Sequence, residues 1–287
     1  MINKIQIVFI VRKEASEVEL CTLCSLPGVS GDEYEVHQYL SREYQQLNLD
    51  LKRDKLGSIF GERLVENSPF KVMISSNIDE CGGMIDDIHE SGLLSFVIIG
   101  DVLPKDFLHQ RVCLLTRHHQ RVYGYILQKQ EKFWIHIGAK SLQEVEEFGV
   151  QVGDTFVLEI PVIETEQMIL SKNLSNRAGV YAAYQLMKTA PSLPYTLSIG
   201  GIAQSIVGYR GAITATNTIL PDVSIVLDVA PVRDYAEETV YIRYFDKTLL
   251  PNVSLVKEIK TVAQSLGYEV KANVQENFRC RFLSLRR

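Results

Sequence analysis

Histidine stops at position 136 of this 287-residue chain, so nothing after the midpoint offers an imidazole. A serine triad built on Ser175 or Ser205 would have to borrow His37 or His89 from a distant segment, and neither serine sits in G-x-S-x-G. Basic charge is also scarce. Thirty Lys and Arg against 35 Asp and Glu give a net charge of −5 and a pI near 5.8, which leaves no basic field for nucleic acid or an anionic membrane surface. Long apolar runs are missing: IQIVFIV at 5–11 is too short to span a bilayer and lacks the small-residue cleavage site of a secretory signal. Five scattered cysteines, an odd count, do not make a disulfide framework and point to a reducing compartment. Their one close pair, C-T-L-C at 21–24, has no second C-x-x-C and reads as small residues on a helix. The expectation is a cytoplasmic protein with neither nucleic acid nor membrane as partner.

What is present is an ordinary globular composition, 46% hydrophobic and 23% charged, enough for one large domain or two smaller ones. Leu26 to Glu33 reads as a turn followed by a capping box, with Ser30 as N-cap and Glu33 at the third helical position of a helix reaching about Leu47. Strands are expected at 58–64 and 70–76, the second apolar enough to belong to a sheet covered by helices. Between 82 and 163 short alternating segments (LLSFVII, RVCLLT, VYGYIL, FWIHIG, TFVLEIPV) separated by polar turns predict a small inserted β-barrel, with one capped helix over 141–148. The α/β texture then returns. A helix over 176–189, a strand at 195–203, a short helix from Arg210 and strands at 223–229 and 239–245 precede a helix capped by Asn252 and closed by Gly267. The predicted fold class is therefore α/β, an open mixed sheet covered by helices. One discontinuous domain (1–81 and 164–287) is interrupted by the barrel (82–163).

Four stretches sit where such a sheet presents its strand ends: S-S-N-I-D-E (75–80), L-S-N-R-A-G (174–179), A-Q-S-I-V-G-Y-R-G-A (203–212) and P-D-V-S-I-V-L-D-V (221–229). Each alone is a common turn or helix start. In this order around an inserted β module, they resemble the tetrahedral-aminopeptidase and glutamyl-aminopeptidase family of di-metal exopeptidases. The resemblance runs from about residue 20 to about residue 275 and extends to L-P-G-V-S-G (26–31), D-x-L-G-S-I (54–59), I-G-A-K-S (137–141), F-G-V-Q-V-G-D (148–154) and I-R-Y-F-D (242–246). It implies a zinc-aminopeptidase-like fold whose barrel makes subunit contacts, peptides as substrates, and two zinc or cobalt ions. The ions would share a bridging carboxylate and a water whose proton a neighbouring Glu removes.

Carried over residue by residue, the family's site is largely substituted. Its first metal-binding His falls on Asn77, its bridging Asp on Ser175, its general base on Ser205 and its adjacent metal-binding Glu on Ile206. The Asp beside the first ligand is kept as Asp79 and the terminal acidic ligand as Asp228; the last His belongs to a segment from which this chain departs after about residue 273, ending in FRCRFLSLRR. Asn, Ser and Ile cannot replace bridging carboxylates, so the resemblance implies a catalytically silent member with no metal or one weakly bound divalent ion, acting in a homo- or hetero-oligomer through the β module. The alternative is an active enzyme whose site is rebuilt by a partner or whose sequence is truncated. A further expectation is apolar surface exposed around the strands at 223–229 and 239–245.

Overall fold

The computed structural model describes residues 3–8, 17–165, 169–229, 239–245 and 250–274. The tail FRCRFLSLRR, Asp246 of I-R-Y-F-D and residues 9–11 of the IQIVFIV run lie outside these residues. In chain order the elements are β1 (Asn3–Val8), α1 (Glu17–Ser25), α2 (Tyr34–Gln46), β2 (Asp50–Arg53), β3 (Ile59–Arg63), β4 (Lys71–Asn77), β5 (Gly82–Ile88), β6 (Leu94–Ile99), β7 (Arg111–Leu115), β8 (Arg121–Lys129), β9 (Lys132–His136), α3 (Leu142–Glu147) and β10 (Thr155–Leu158). They continue with β11 (Ile163–Glu164), β12 (Ile169–Leu170), α4 (Leu174–Thr189), β13 (Thr196–Ile202), α5 (Arg210–Ile219), β14 (Val223–Asp228), β15 (Thr239–Phe245), α6 (Val253–Ser265) and β16 (Glu269–Val274).

An eight-stranded mixed sheet runs β16-β15-β1-β14-β4-β13-β3-β2. β4 is parallel to both its neighbours, β13 and β14, and every residue of β13 is buried, as expected for strands covered on both faces. Adjacent residues on β4 point to opposite faces. Ile74 packs with α1, α2 and α4 through Leu20, Leu40, Tyr44, Val180 and Met187, while Met73 packs with Phe60, Ile202 and the short helix α5 through Ala215 and Ile219. The tandem cysteines fall on α1, as read, and Cys24 is buried and free; burial pushes its thiol up to about 12, so it is an inert apolar residue.

β5 to β10 close into a six-stranded antiparallel barrel in the order β10-β5-β6-β9-β8-β7, filled by Ile85, Leu94, Ile126, Ile135 and Phe156. Phe156 meets Phe96 and Phe107 edge to face. The chain enters the barrel at Gly82, where a Cβ would lie 2.1 Å from the Phe156 carbonyl oxygen, so only glycine fits. The barrel is fixed to the α/β layers by the Thr155 hydroxyl, which donates to Asp32 at 2.7 Å, by the Arg121–Glu35 ion pair, and by His119 stacked on Tyr34 at 3.6 Å.

One expectation is corrected. The capping box does not form: α2 starts at Tyr34, its N-cap is Glu33, and no side chain caps it. Glu33 is buried and its carboxylate faces away from the helix, accepting from the backbone N–H of Gly31 at 3.0 Å and of Gln204 at 2.8 Å. The Ser30 N–H that a capping box would give to Glu33 donates instead to the Glu80 carbonyl at 3.2 Å. β1 lies between β14 and β15 and pairs with both, while Tyr244 of β15 and Val274 of the neighbouring β16 leave apolar surface exposed beside these strands. The Asn252 cap does form, its carbonyl oxygen accepting from Leu255 N–H at 3.0 Å, and Gly267 follows the helix at φ +87°.

Candidate active-site cleft

The C-terminal ends of the parallel strands define the cleft. Ile202 of β13 is in register with Asn77 of β4, and Val226 of β14 with Ser75; the same register carried two residues on sets Asp228 level with Asn77. The N-terminus of α4 enters beside them. Asn176 donates from Nδ2 to the Asp79 carbonyl at 2.7 Å, and the Ser76 hydroxyl donates to the Asn176 carbonyl at 2.7 Å. Ser175 is exposed at this helix start, its hydroxyl 3.3 Å from the Asn176 side-chain oxygen. Close approach of α4 to the sheet requires Gly179, where a Cβ would stand 2.5 Å from Ser76 Oγ and 2.8 Å from the Leu227 carbonyl.

The segment 203–206, which follows β13, is held in place by side chains. Ser58 Oγ accepts from Ala203 N–H at 3.2 Å, and Glu33 takes the N–H of Gln204, whose φ of +50° turns the chain. Both oxygens of Asp79 are used next: the Ser205 hydroxyl donates to Oδ1, and Ile206 N–H donates to Oδ2 at 2.9 Å. Asp79 is fully buried. Burial raises its carboxyl above the usual carboxylate range, and the hydrogen bonds from Ser205 and Ile206 oppose that shift. Glu33 is pushed up to about 7, first by burial and further by the nearby Asp79, against the two backbone donors. Asp228 is buried and lies 3.6 Å from the guanidinium of buried Arg243 on β15.

These positions therefore converge on one sheet edge without converging as ligands. Asp79, Ser205 and Ile206 touch; Ser175 and Asn77 flank them; Asp228 faces an arginine. Among the described residues no group of three or more His, Cys, Asp or Glu side chains is placed to hold a metal ion. At the four positions that the resemblance gives to ligands, the donor set is the Asn77 amide, the Ser175 hydroxyl, the Ile206 hydrocarbon and the ion-paired Asp228 carboxylate. It does not fit a pair of zinc or cobalt ions.

Beneath the cleft lies a charge cluster that the sequence reading passed over. Arg177, fully buried in α4, donates from Nη1 to the carbonyls of Leu23 (2.6 Å) and Leu26, from Nε to that of Ile78 (3.3 Å), and from Nη2 to Glu80 at 3.4 Å. Lys172 lies 3.1 Å from the same carboxylate, which also accepts from Gly28 N–H at 3.0 Å. Burial lowers the Arg177 pKa, and Glu80 first among its neighbours opposes this. The available signal was an arginine directly before the small and apolar A-G-V of this helix.

A family model described as M42 glutamyl aminopeptidase matches residues 57–280. FrvX of Escherichia coli (strain K12) is 32% identical over 268 residues, covering 84% of this chain and 75% of its own length. Two further curated relatives are spanned over 64% and 66% of their lengths. The fold superposes on the TET aminopeptidase from a marine sediment archaeon, Thaumarchaeota archaeon SCGC AB-539-E09, with a TM-score of 0.82 and 25% identity over 90% of this chain and 80% of that one. It also superposes on the Pyrococcus horikoshii TET1 peptidase, which can assemble into a tetrahedron or a large octahedral shell, with a TM-score of 0.78 and 21% identity over 90% and 83% of the two chains.

Proposed function

This chain belongs to the M42 glutamyl aminopeptidase family, and from that premise we propose that it is a catalytically silent member acting as a binding or assembly subunit. The observation that carries this reading is where the two remaining acidic side chains of the cleft are directed. Asp79 is closed by Ser205 and Ile206, and Asp228 is beside Arg243, so neither carboxylate is presented to an ion or to a peptide amine. At the general-base position, Ser205 has a hydroxyl whose proton is already given to Asp79, so it presents no free carboxylate to a water.

Assembly would use the barrel. Its strand β8 exposes Tyr123 and Tyr125, with Val97 of β6 also exposed, and aromatic side chains of this kind are favoured at subunit contacts. Homo- and hetero-oligomers are both open to such a surface, and peptides remain the ligand class the cleft would take.

Metal analysis of the purified chain, combined with a screen of aminoacyl p-nitroanilides in added zinc, cobalt and manganese, tests the silent reading. The expected result is no stoichiometric metal and no turnover above background. Two bound ions per chain, or turnover that Asp228→Asn abolishes, would overturn it in favour of an active metallo-aminopeptidase. Light scattering coupled to gel filtration tests assembly, with Tyr125→Asp expected to lower the measured mass.

A further inference from the structure

The last strand of the sheet has one edge in use. β16 pairs with β15, and its other edge meets no described residue. The apolar layer beside that edge is also unfinished: α6 buries Val256 and Ala263, while Val262 and Leu266, on the same helical stripe as the partly buried Ile259, are 57% and 68% exposed. On β16, Val270 packs with α6, and alternation sets Ala272 and Val274 on that same face, where Val274 is 66% exposed. An open edge flanked by uncovered aliphatic side chains is an acceptor for one more strand.

Residues 275–287 lie outside those described, and their sequence carries the pattern such an edge requires. After Gln275-Glu276-Asn277, a polar connection, F-R-C-R-F alternates Phe278, Cys280 and Phe282 with Arg279 and Arg281, the period of a strand with one apolar side. We propose that the free edge of β16 is the docking site of residues 278–282 of the same chain, paired antiparallel through a hairpin connection over 275–277. The connection length fixes the register. Phe278 falls opposite Val274, Cys280 opposite Ala272 and Phe282 opposite Val270, so every apolar residue of the segment meets the α6 side, where Val262 and Leu266 are uncovered. Arg279 and Arg281 fall opposite Asn273 and Lys271 on the other face, where the exposed Glu269 carboxylate lies 3.2 Å from the Lys271 ammonium. A connection one residue longer or shorter would turn the arginines onto the aliphatic layer. A segment tethered this closely also reaches the edge at a far higher effective concentration than a second copy of the chain.

The test is the full-length Ala272→Cys variant, which sets a thiol across from the native Cys280; directly opposed Cα atoms lie about 4.5–5.5 Å apart, within disulfide reach. Mild oxidation with oxidised glutathione, followed by peptide mapping, is expected to give a 272–280 disulfide within the monomer, and at most a trace of a 271–280 link in Lys271→Cys, whose side chain leaves the other face. Equal yields from the two variants, no 272–280 link, or a link found only between two chains overturns the assignment. In a second variant, Phe278→Ser/Phe282→Ser, backbone amides of β16 are expected to exchange hydrogen at least about tenfold faster while those of β4 and β13 are unchanged. Unaltered exchange in β16 overturns it equally.

Discussion

Replacing Glu33 by Gln should change the pH dependence of stability in a direction set by burial. The carboxyl has an ordinary value of 4.5 and stands at about 7 in the folded chain, because ionising it there puts charge into a buried site beside Asp79. Below 4.5 both folded and unfolded chains hold this proton, and its contribution is fully present. Between 4.5 and about 7 the unfolded chain releases the proton while the folded chain keeps it, so stability falls as pH rises; above that window both are ionised and the loss is complete. A displacement of this size couples about 3 kcal/mol to folding. Glutamine keeps an oxygen for the Gly31 and Gln204 N–H groups, both of which now bond Oε1. Urea unfolding from pH 4 to 8.5 should therefore show Glu33→Gln close to the parent at the acidic end and more stable by up to about 3 kcal/mol at the alkaline end. Two parallel profiles would refute the reasoning, as would a gap that widens towards acid.

Arg177→Met removes the guanidinium that satisfies three backbone carbonyls and pairs with Glu80, leaving Lys172 alone on that carboxylate; a loss of about 3–5 kcal/mol is expected, read as a fall in thermal midpoint on the order of 10 °C. Gly179→Ala forces α4 away from the Leu227 carbonyl, a backbone atom that cannot rotate aside, and should cost about 1–3 kcal/mol in urea unfolding. Asn252→Ala removes the cap on Leu255 N–H and should cost about 1 kcal/mol, seen as faster hydrogen exchange at the start of α6.

The sequence was most legible where one periodicity ran unopposed. The alternating segments from residue 82 predicted the barrel, and the Asn252 cap and Gly267 bounded α6, because each depends on neighbours within a few residues. The cleft was legible only as positions. Resemblance placed Asp79 and Asp228 at the ligand edge, but what each carboxylate faces depends on Ser205, 126 residues from Asp79 in sequence, and on Arg243 from another strand. The capping-box reading of Ser30 and Glu33 failed for the same reason: the local pattern was correct, and a remote donor, Gln204 N–H, won the carboxylate. β1 escaped notice because a six-residue strand inside a short apolar run has no local mark of which two strands it will separate.

The substitutions at the cleft also fit one another physically, which can be probed by reversing one. Ser205 donates a hydroxyl proton to Asp79, and Ile206 supplies only its backbone N–H, with its side chain near Gly100 of the barrel end. Ser205→Glu would set a second carboxylate against a buried one and remove the donor that opposes Asp79's raised pKa. With metal ligands at hand, such a charge would be neutralised by an ion. Here Asp228 lies beside Arg243, Ser175 has no carboxylate, and Asn77 offers an amide, so the added charge has nothing to recruit. The variant is expected to be less stable by about 1–3 kcal/mol at pH 8, with the same deficit in zinc-free and zinc-containing buffer. A zinc-dependent rise in its thermal midpoint above that of the parent would refute this reasoning.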